Sequence, residues 1–207
     1  GLETRYAGKG RERLYRYLDE NRDGSGNKNA NVNGSSTPVI FKITPANNSA
    51  ANRPSEVFDI QRLVVQIEDN ADPMRPDKYG DEPALTNGII IRIVDSTGVI
   101  KDLTDAIPIK RKADYRGVGS IVRATTGGVN NFVSASLEFF KDSQANQGIK
   151  LRGDRDERLE VVVQDNLTGL TAHHFMVHGE VVVEGSVIEA PTTSTSTPPT
   201  SARGCWA

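Results

Sequence analysis

Between residues 38 and 185 the chain alternates apolar and polar positions in short runs, and most of these runs are bounded by Gly, Asn, Asp or Pro. The runs are "PVIFKIT", "VFDIQRLVVQIED", "NGIIIRIVDS", "GVIKDLT", "SIVRATT", "NFVSASLEFFK", "RLEVVVQD" and "HHFMVHGEVVVEG", all rich in Val, Ile and Phe. Side chains along a strand point to opposite faces in turn. Val133, Ala135, Leu137 and Phe139 therefore share one face, with Ser134, Ser136 and Glu138 on the other. Leu159, Val161 and Val163 repeat the scheme. "STG" after Asp95 reads as a tight turn joining two strands. No long amphipathic helix interrupts this block. Runs of this kind predict an all-β fold, an antiparallel β-sandwich with a jelly roll as the leading topology.

The flanks are different. Residues 1–37 read as an extended N-terminal arm and a polar linker. Leu14, Tyr17 and Leu18 have a spacing that also suits a short helix. "DENRDGSGNKNANVNGSST" has almost no large apolar residue and cannot offset its own ordering entropy. Residues 186–207, which include "APTTSTSTPPTSARGCWA", form a Ser/Thr/Pro-rich tail expected to be flexible unless it lies on a partner, with Trp206 as its natural anchor.

Composition narrows the function classes. The chain has 207 residues, a hydrophobic content of 36% and a formal net charge of -2. This near-neutral balance argues against a nucleic-acid partner, which calls for a basic face. Aromatic residues make up 6%, too few for a base-stacking platform. No apolar run approaches the roughly 18 residues of a membrane-spanning helix, so no membrane partner is expected. Cys205 is the one cysteine, which rules out both an internal disulfide and a Cys-rich zinc site.

All three histidines, His173, His174 and His178, fall within "GLTAHHFMVHGE". On a helix, His174 and His178 would share a face and suit a zinc hydrolase. In a strand they lie about 13 Å apart, too far for one ion, and the β-prone surroundings favour the strand. "DENRDGSGN" opens like a calcium loop with Asp19, Asn21 and Asp23, but the twelfth position is Ala30 where a bidentate Glu is required. Glu68, Asp69, Asp72, Asp77, Asp81 and Glu82 gather around Pro73, Pro76 and Tyr79, a set that suits acid–base work or simply an exposed loop. Arg152-Gly153-Asp154 matches an integrin tripeptide but reads as a charged turn before a strand. No catalytic, metal or cofactor-binding residues are assigned from these patterns.

"FDIQRLVVQIEDN", "YGDEPALTNGIIIRIVDSTGVIKDLTDAIPI", "ERLEVVVQDNLTGLTAHHFMVHG" and "GLETRYAGKGRERLYRYLDENRDGSGNKNAN" resemble small virion structural proteins of tailed bacteriophages. The resemblance runs from about Gly1 to Gly179 and is strongest over Phe58–Ile109. It implies a jelly-roll or related sandwich, made in the host bacterial cytoplasm and residing in the virion. There it would decorate or cement the capsid without enzymatic activity or cofactor. Its expected partners are the major capsid protein or other virion proteins, and further copies of itself in a homo-oligomer, with a trimer expected. Tyr6, Leu14, Tyr15 and Tyr17 in the arm and Trp206 in the tail are the expected partner contacts. Two other readings stay open: a tail or neck adaptor, and a receptor- or carbohydrate-binding sandwich using Tyr79 and Tyr115 in loops.

Overall fold

Alternating runs do become strands. A computed structural model of the chain describes residues 10–18, 31–69, 77–80, 83–115, 123–127, 130–138 and 148–183. Among these are ten strands: β1 (Gly10–Tyr17), β2 (Val39–Ile43), β3 (Glu56–Asp69), β4 (Ile89–Asp95), β5 (Gly98–Asp102), β6 (Arg123–Gly127), β7 (Asn130–Glu138), β8 (Ile149–Arg152), β9 (Arg158–Val163) and β10 (Ala172–Val183). Three single 3-10 turns accompany them, and the described residues contain no α-helix. One sheet has the order β1-β10-β3-β7-β6, with β8 sharing with β7 the same edge of the long strand β3. The second has the order β2-β9-β4-β5. Every strand pairing is antiparallel. The protein is an antiparallel β-sandwich.

The core lies between the sheets. Phe41 and Ile43 of β2, Ile89, Ile91 and Ile93 of β4, and Leu159, Val161 and Val163 of β9 face Phe58, Ile60, Leu63, Val65 and Ile67 of β3 and Phe175 and Val177 of β10. Phe41 and Phe175, one from each sheet, bring their ring centroids to 5.4 Å. Each such side chain contributes about 1.5–3 kcal/mol on burial.

Along β3 the positions that join the core between the sheets run 58, 60, then 63, 65, 67, so the alternation slips by one residue. The pairing explains this. His178 pairs with Arg62 and Gly179 with Ile60, leaving Gln61 as the extra residue of a β-bulge. The bulge brings the backbones close: a Cβ on Gly179 would lie 1.9 Å from the carbonyl oxygen of Asp59. Glycine is the residue that fits there.

The turn expected after Asp95 is present. Asp95 pairs with Gly98 across Ser96 and Thr97, and the Asp95 carboxylate accepts hydrogen bonds from the Thr97 amide (2.7 Å) and hydroxyl (2.6 Å). Gly98 has φ 131°, a conformation that favours glycine.

The N-terminal segment departs from its expected role as an arm. Residues 10–17 form β1, paired with β10 over its whole length, and Leu14 and Leu18 are buried in the common core. The reason is local. Leu14 stands opposite Gly179, which has no side chain, and the Leu18 amide donates to the Phe175 carbonyl at 3.0 Å. Residues 31–37 also pack on the sandwich: Val32 is buried, and the Gly34 amide donates to the Asp165 carbonyl at 2.9 Å. The expected boundary near residue 37 therefore does not separate arm from sandwich. Residues 1–9, 19–30 and 186–207 lie outside the described residues.

Candidate interaction surfaces and the buried histidine

The histidine-rich run is strand β10, and the strand's alternation separates its three imidazoles. His173 points inward with Phe175 and Val177, and is 1% exposed. Its Nε2 lies 2.6 Å from the Tyr79 hydroxyl, which lies 2.6 Å from the Tyr115 hydroxyl. The Tyr79 ring meets His173 edge-on at 5.3 Å, and His173 in turn lies 4.4 Å from Phe175. Burial, with a smaller contribution from the neighbouring His174, pushes the His173 imidazole down to about 3. Burial likewise raises both tyrosine hydroxyls above their ordinary range. All three groups are neutral near neutral pH, so this is a chain of neutral hydrogen bonds inside an apolar core. It ties residues 77–80 and the turn at Lys112–Asp114 to the end of β10. The Lys112 amide adds a bond to the Lys78 carbonyl at 3.0 Å.

His174 and His178 lie on the opposite face of β10, where they meet tyrosines of β1. Tyr15 stacks on His178 at 4.6 Å, and Tyr17 approaches His174 at 6.0 Å. No three His, Cys, Asp or Glu side chains converge as metal ligands among the described residues. In the acidic run, Asp69 is buried, while Asp72, Asp81 and Glu82 lie outside the described residues, as do Asp19, Asn21 and Asp23 of the calcium-like run.

The Arg-Gly-Asp tripeptide is closed on itself. The Arg152 guanidinium donates to both oxygens of Asp154, at 3.1 and 3.0 Å, and holds that carboxyl below its usual range. Gly153 is buried, with its Cβ position 2.3 Å from the Ala46 carbonyl oxygen.

Tyr79 and Tyr115, the loop aromatics suited to stacking on a sugar, are 0% and 3% exposed. Their rings belong to the core and present no face to a ligand. The expectation that placed them in exposed loops followed the surrounding prolines and charges. It missed that each hydroxyl has a buried partner, which makes burial of a tyrosine tolerable.

The outer surface offers apolar side chains at the strands that border the sheets. β5 ends the four-stranded sheet, and its Val99 and Ile100 are exposed, as is Ile107 in the segment that follows. On the same sheet, cross-strand register aligns Ile40, Val162 and Ile90 in one row and Lys42, Glu160, Arg92 and Asp102 in the next. Glu160 is buried between two guanidiniums, with Arg92 at 2.8 Å and Arg158 at 2.7 Å. Burial alone would raise its carboxyl, but the hydrogen bonds from Arg158 and Arg92 outweigh that and hold it below the ordinary value. At the far edge of the six-stranded sheet, β1 exposes Tyr15 and Tyr17.

Of the expected partner contacts, Tyr15 and Tyr17 are therefore at the surface. Leu14 is not: it is 1% exposed in the chain's own core and cannot reach a partner while the fold is intact. Tyr6 and Trp206 lie outside the described residues. Sequence reading missed Val99, Ile100 and Ile107. The available signal was "GVIKD", in which two consecutive apolar residues occupy opposite faces of a strand, so one must point outward. Compared with known protein families, with curated proteins and with solved structures, the chain finds no match.

Proposed function

We propose that the chain is a non-enzymatic structural protein of a tailed-phage virion, one that decorates or cements the capsid. It does so by binding the major capsid protein and neighbouring copies. The observation that carries this reading is the division of labour among its side chains. The loop tyrosines that sugar binding would use are consumed inside the core together with His173, in the His173–Tyr79–Tyr115 chain. Apolar side chains with no role in that core stand at the surface instead, as Val99, Ile100 and Ile107 beside β5. Exposed apolar groups on a rigid sandwich suit a surface meant to be covered.

The strand order supports the finer reading of the sandwich as a jelly roll. With β6, β7 and β8 together filling the sixth place, one sheet holds the first, last, third and sixth strands. The other holds the second, seventh, fourth and fifth. This is the interleaving that two Greek keys produce. The resemblance of Phe58–Ile109 to virion proteins points the same way.

The test is the copy number of the protein in purified virions, measured by quantitative mass spectrometry against the major capsid protein. A ratio near one to one is expected. A few to a few dozen copies would move the protein to the neck or tail, and finding none would overturn the virion assignment.

A further inference from the structure

β1 ends the six-stranded sheet, and among the described residues it pairs with β10 alone. Its outer edge therefore offers backbone N–H and C=O groups as a template for another strand. Glu12, Arg13, Tyr15 and Arg16 are all exposed along it. We propose that this edge pairs antiparallel with β1 of a second copy of the chain, about a two-fold axis passing by Leu14. The two six-stranded sheets then run on as one.

The register follows from the side chains. A two-fold axis perpendicular to the sheet keeps each face on its own side, so every residue must meet one that points the same way. Leu14 lies opposite Gly179 and shares the core-side face of β1 with Glu12 and Arg16; Arg13, Tyr15 and Tyr17, opposite Glu180, His178 and Met176, take the outer face. An axis at Glu12 sets Glu12 against its own copy, and axes at Arg13 or Arg16 set two guanidiniums together. Like charges directly opposite destabilise a pair. An axis at Tyr15 sets Arg13 against Tyr17 but places Arg16 against Leu14 and Glu12 against Leu18, leaving both of these charges facing apolar side chains. An axis at Leu14 sets Glu12 against Arg16 of the second copy, and Arg13 against its Tyr15. By symmetry each contact occurs twice, so every one of these charges gains an opposite charge or an aromatic face.

The groups are placed for it. The Arg16 side chain keeps half its surface exposed while its guanidinium lies 5.3 Å above Phe58 and 3.9 Å from Glu56. Tyr15 is 51% exposed although one side of its ring rests on His178, so it retains a surface for Arg13 of the second copy. The self-complementary pattern calls for a dimer in place of the trimer expected from the sequence. The contact forms between free chains and does not depend on the capsid reading.

Sedimentation equilibrium on the full chain tests it, together with Glu12→Arg, Arg16→Glu and the double exchange. The wild type should be a dimer. Glu12→Arg places two arginines opposite each other at both ends of the contact and should weaken association about tenfold or more. The double exchange restores opposite charges and should restore the dimer. Circular dichroism should show all four chains folded. In a Cys205→Ser background, Arg13→Cys with Tyr15→Cys should form oxidised covalent dimers that run at twice the monomer mass. A wild-type monomer or trimer, a dimer indifferent to Glu12→Arg, or an oxidised cysteine pair that stays monomeric would overturn the proposal.

Discussion

The hydroxyl of Tyr79 lies 2.6 Å from Nε2 of His173 and 2.6 Å from the hydroxyl of Tyr115, with all three side chains buried. Tyr79 is the middle member, so its hydroxyl serves two partners at once. Removing it in Tyr79→Phe takes one hydrogen bond from a buried imidazole and one from a buried phenol. Leaving a buried polar group unsatisfied costs about 1–3 kcal/mol. Urea denaturation should show Tyr79→Phe losing more stability than Tyr115→Phe, because in the latter the Tyr79–His173 bond survives. Equal stability of Tyr79→Phe and wild type would mean the chain of bonds contributes nothing.

The same site makes stability depend on pH. The folded state holds His173 near 3, whereas an unfolded chain has the ordinary histidine value of 6.5. Between these values the unfolded chain takes up a proton that the folded chain refuses. This contribution is therefore full above 6.5, declines as pH falls, and levels off below about 3. The slope approaches about 1.4 kcal/mol per pH unit within the window. Denaturation of wild type and His173→Leu at a series of pH values should give curves that diverge over this range. Parallel curves would show that His173 is protonated in the fold.

Asp165 fastens the loop before β4. Its carboxylate accepts hydrogen bonds from the amides of Thr86 (2.9 Å), Asn87 (3.1 Å) and Gly88 (2.6 Å). Hydrogen bonds to a charged acceptor are each worth about 1.5–3 kcal/mol. Asp165→Ala strands three donors and should lower stability by at least about 2 kcal/mol, with Asp165→Asn between it and wild type. Amide hydrogen exchange should speed up at Thr86, Asn87 and Gly88 before it does at β9. Unchanged protection there would disprove the fastening role.

Two glycines separate crowding from backbone conformation. At Gly179 a Cβ would collide with the Asp59 carbonyl oxygen at 1.9 Å, so Gly179→Ala must push β10 off β3 at the bulge. At Gly98 nothing lies within 4 Å, and only the φ of 131° resists a side chain. Gly98→Ala should cost about 1 kcal/mol, and Gly179→Ala considerably more. Thermal denaturation of the two variants measures the difference; the reverse order would place the bulge elsewhere.

Most of the sandwich was legible because its strands carry their own signal. β3, β4, β5 and β9 alternate or run apolar between turn residues, and Ser96-Thr97 marks a hairpin. β1 was not legible as a strand because an edge strand buries little: among its described side chains, residues 12–17, only Leu14 joins the core, and the charges around it read as an arm. β8, four residues long, borrows its order from β3 and carries a charge at every second position. The separation of His173 from His174 and His178 was readable from strand alternation. Its bond to Tyr79 was not, since it joins residues 94 positions apart in sequence. The paired apolar residues of "GVIKD" showed that one of Val99 and Ile100 must point outward, but not that both stay uncovered, since a sequence pattern does not tell which strand borders a sheet.

The border beside β5 is where capsid decoration is most open to refutation. Ile100→Asp and Ile107→Asp change exposed side chains and should leave thermal stability within about 0.5 kcal/mol of wild type. Purified chain would be added to capsids assembled without it, and the bound fraction weighed at saturation. Binding that saturates near one chain per major capsid subunit, and that the two aspartate variants weaken severalfold without unfolding, is expected. Capsids that stay bare at saturating concentration would refute decoration.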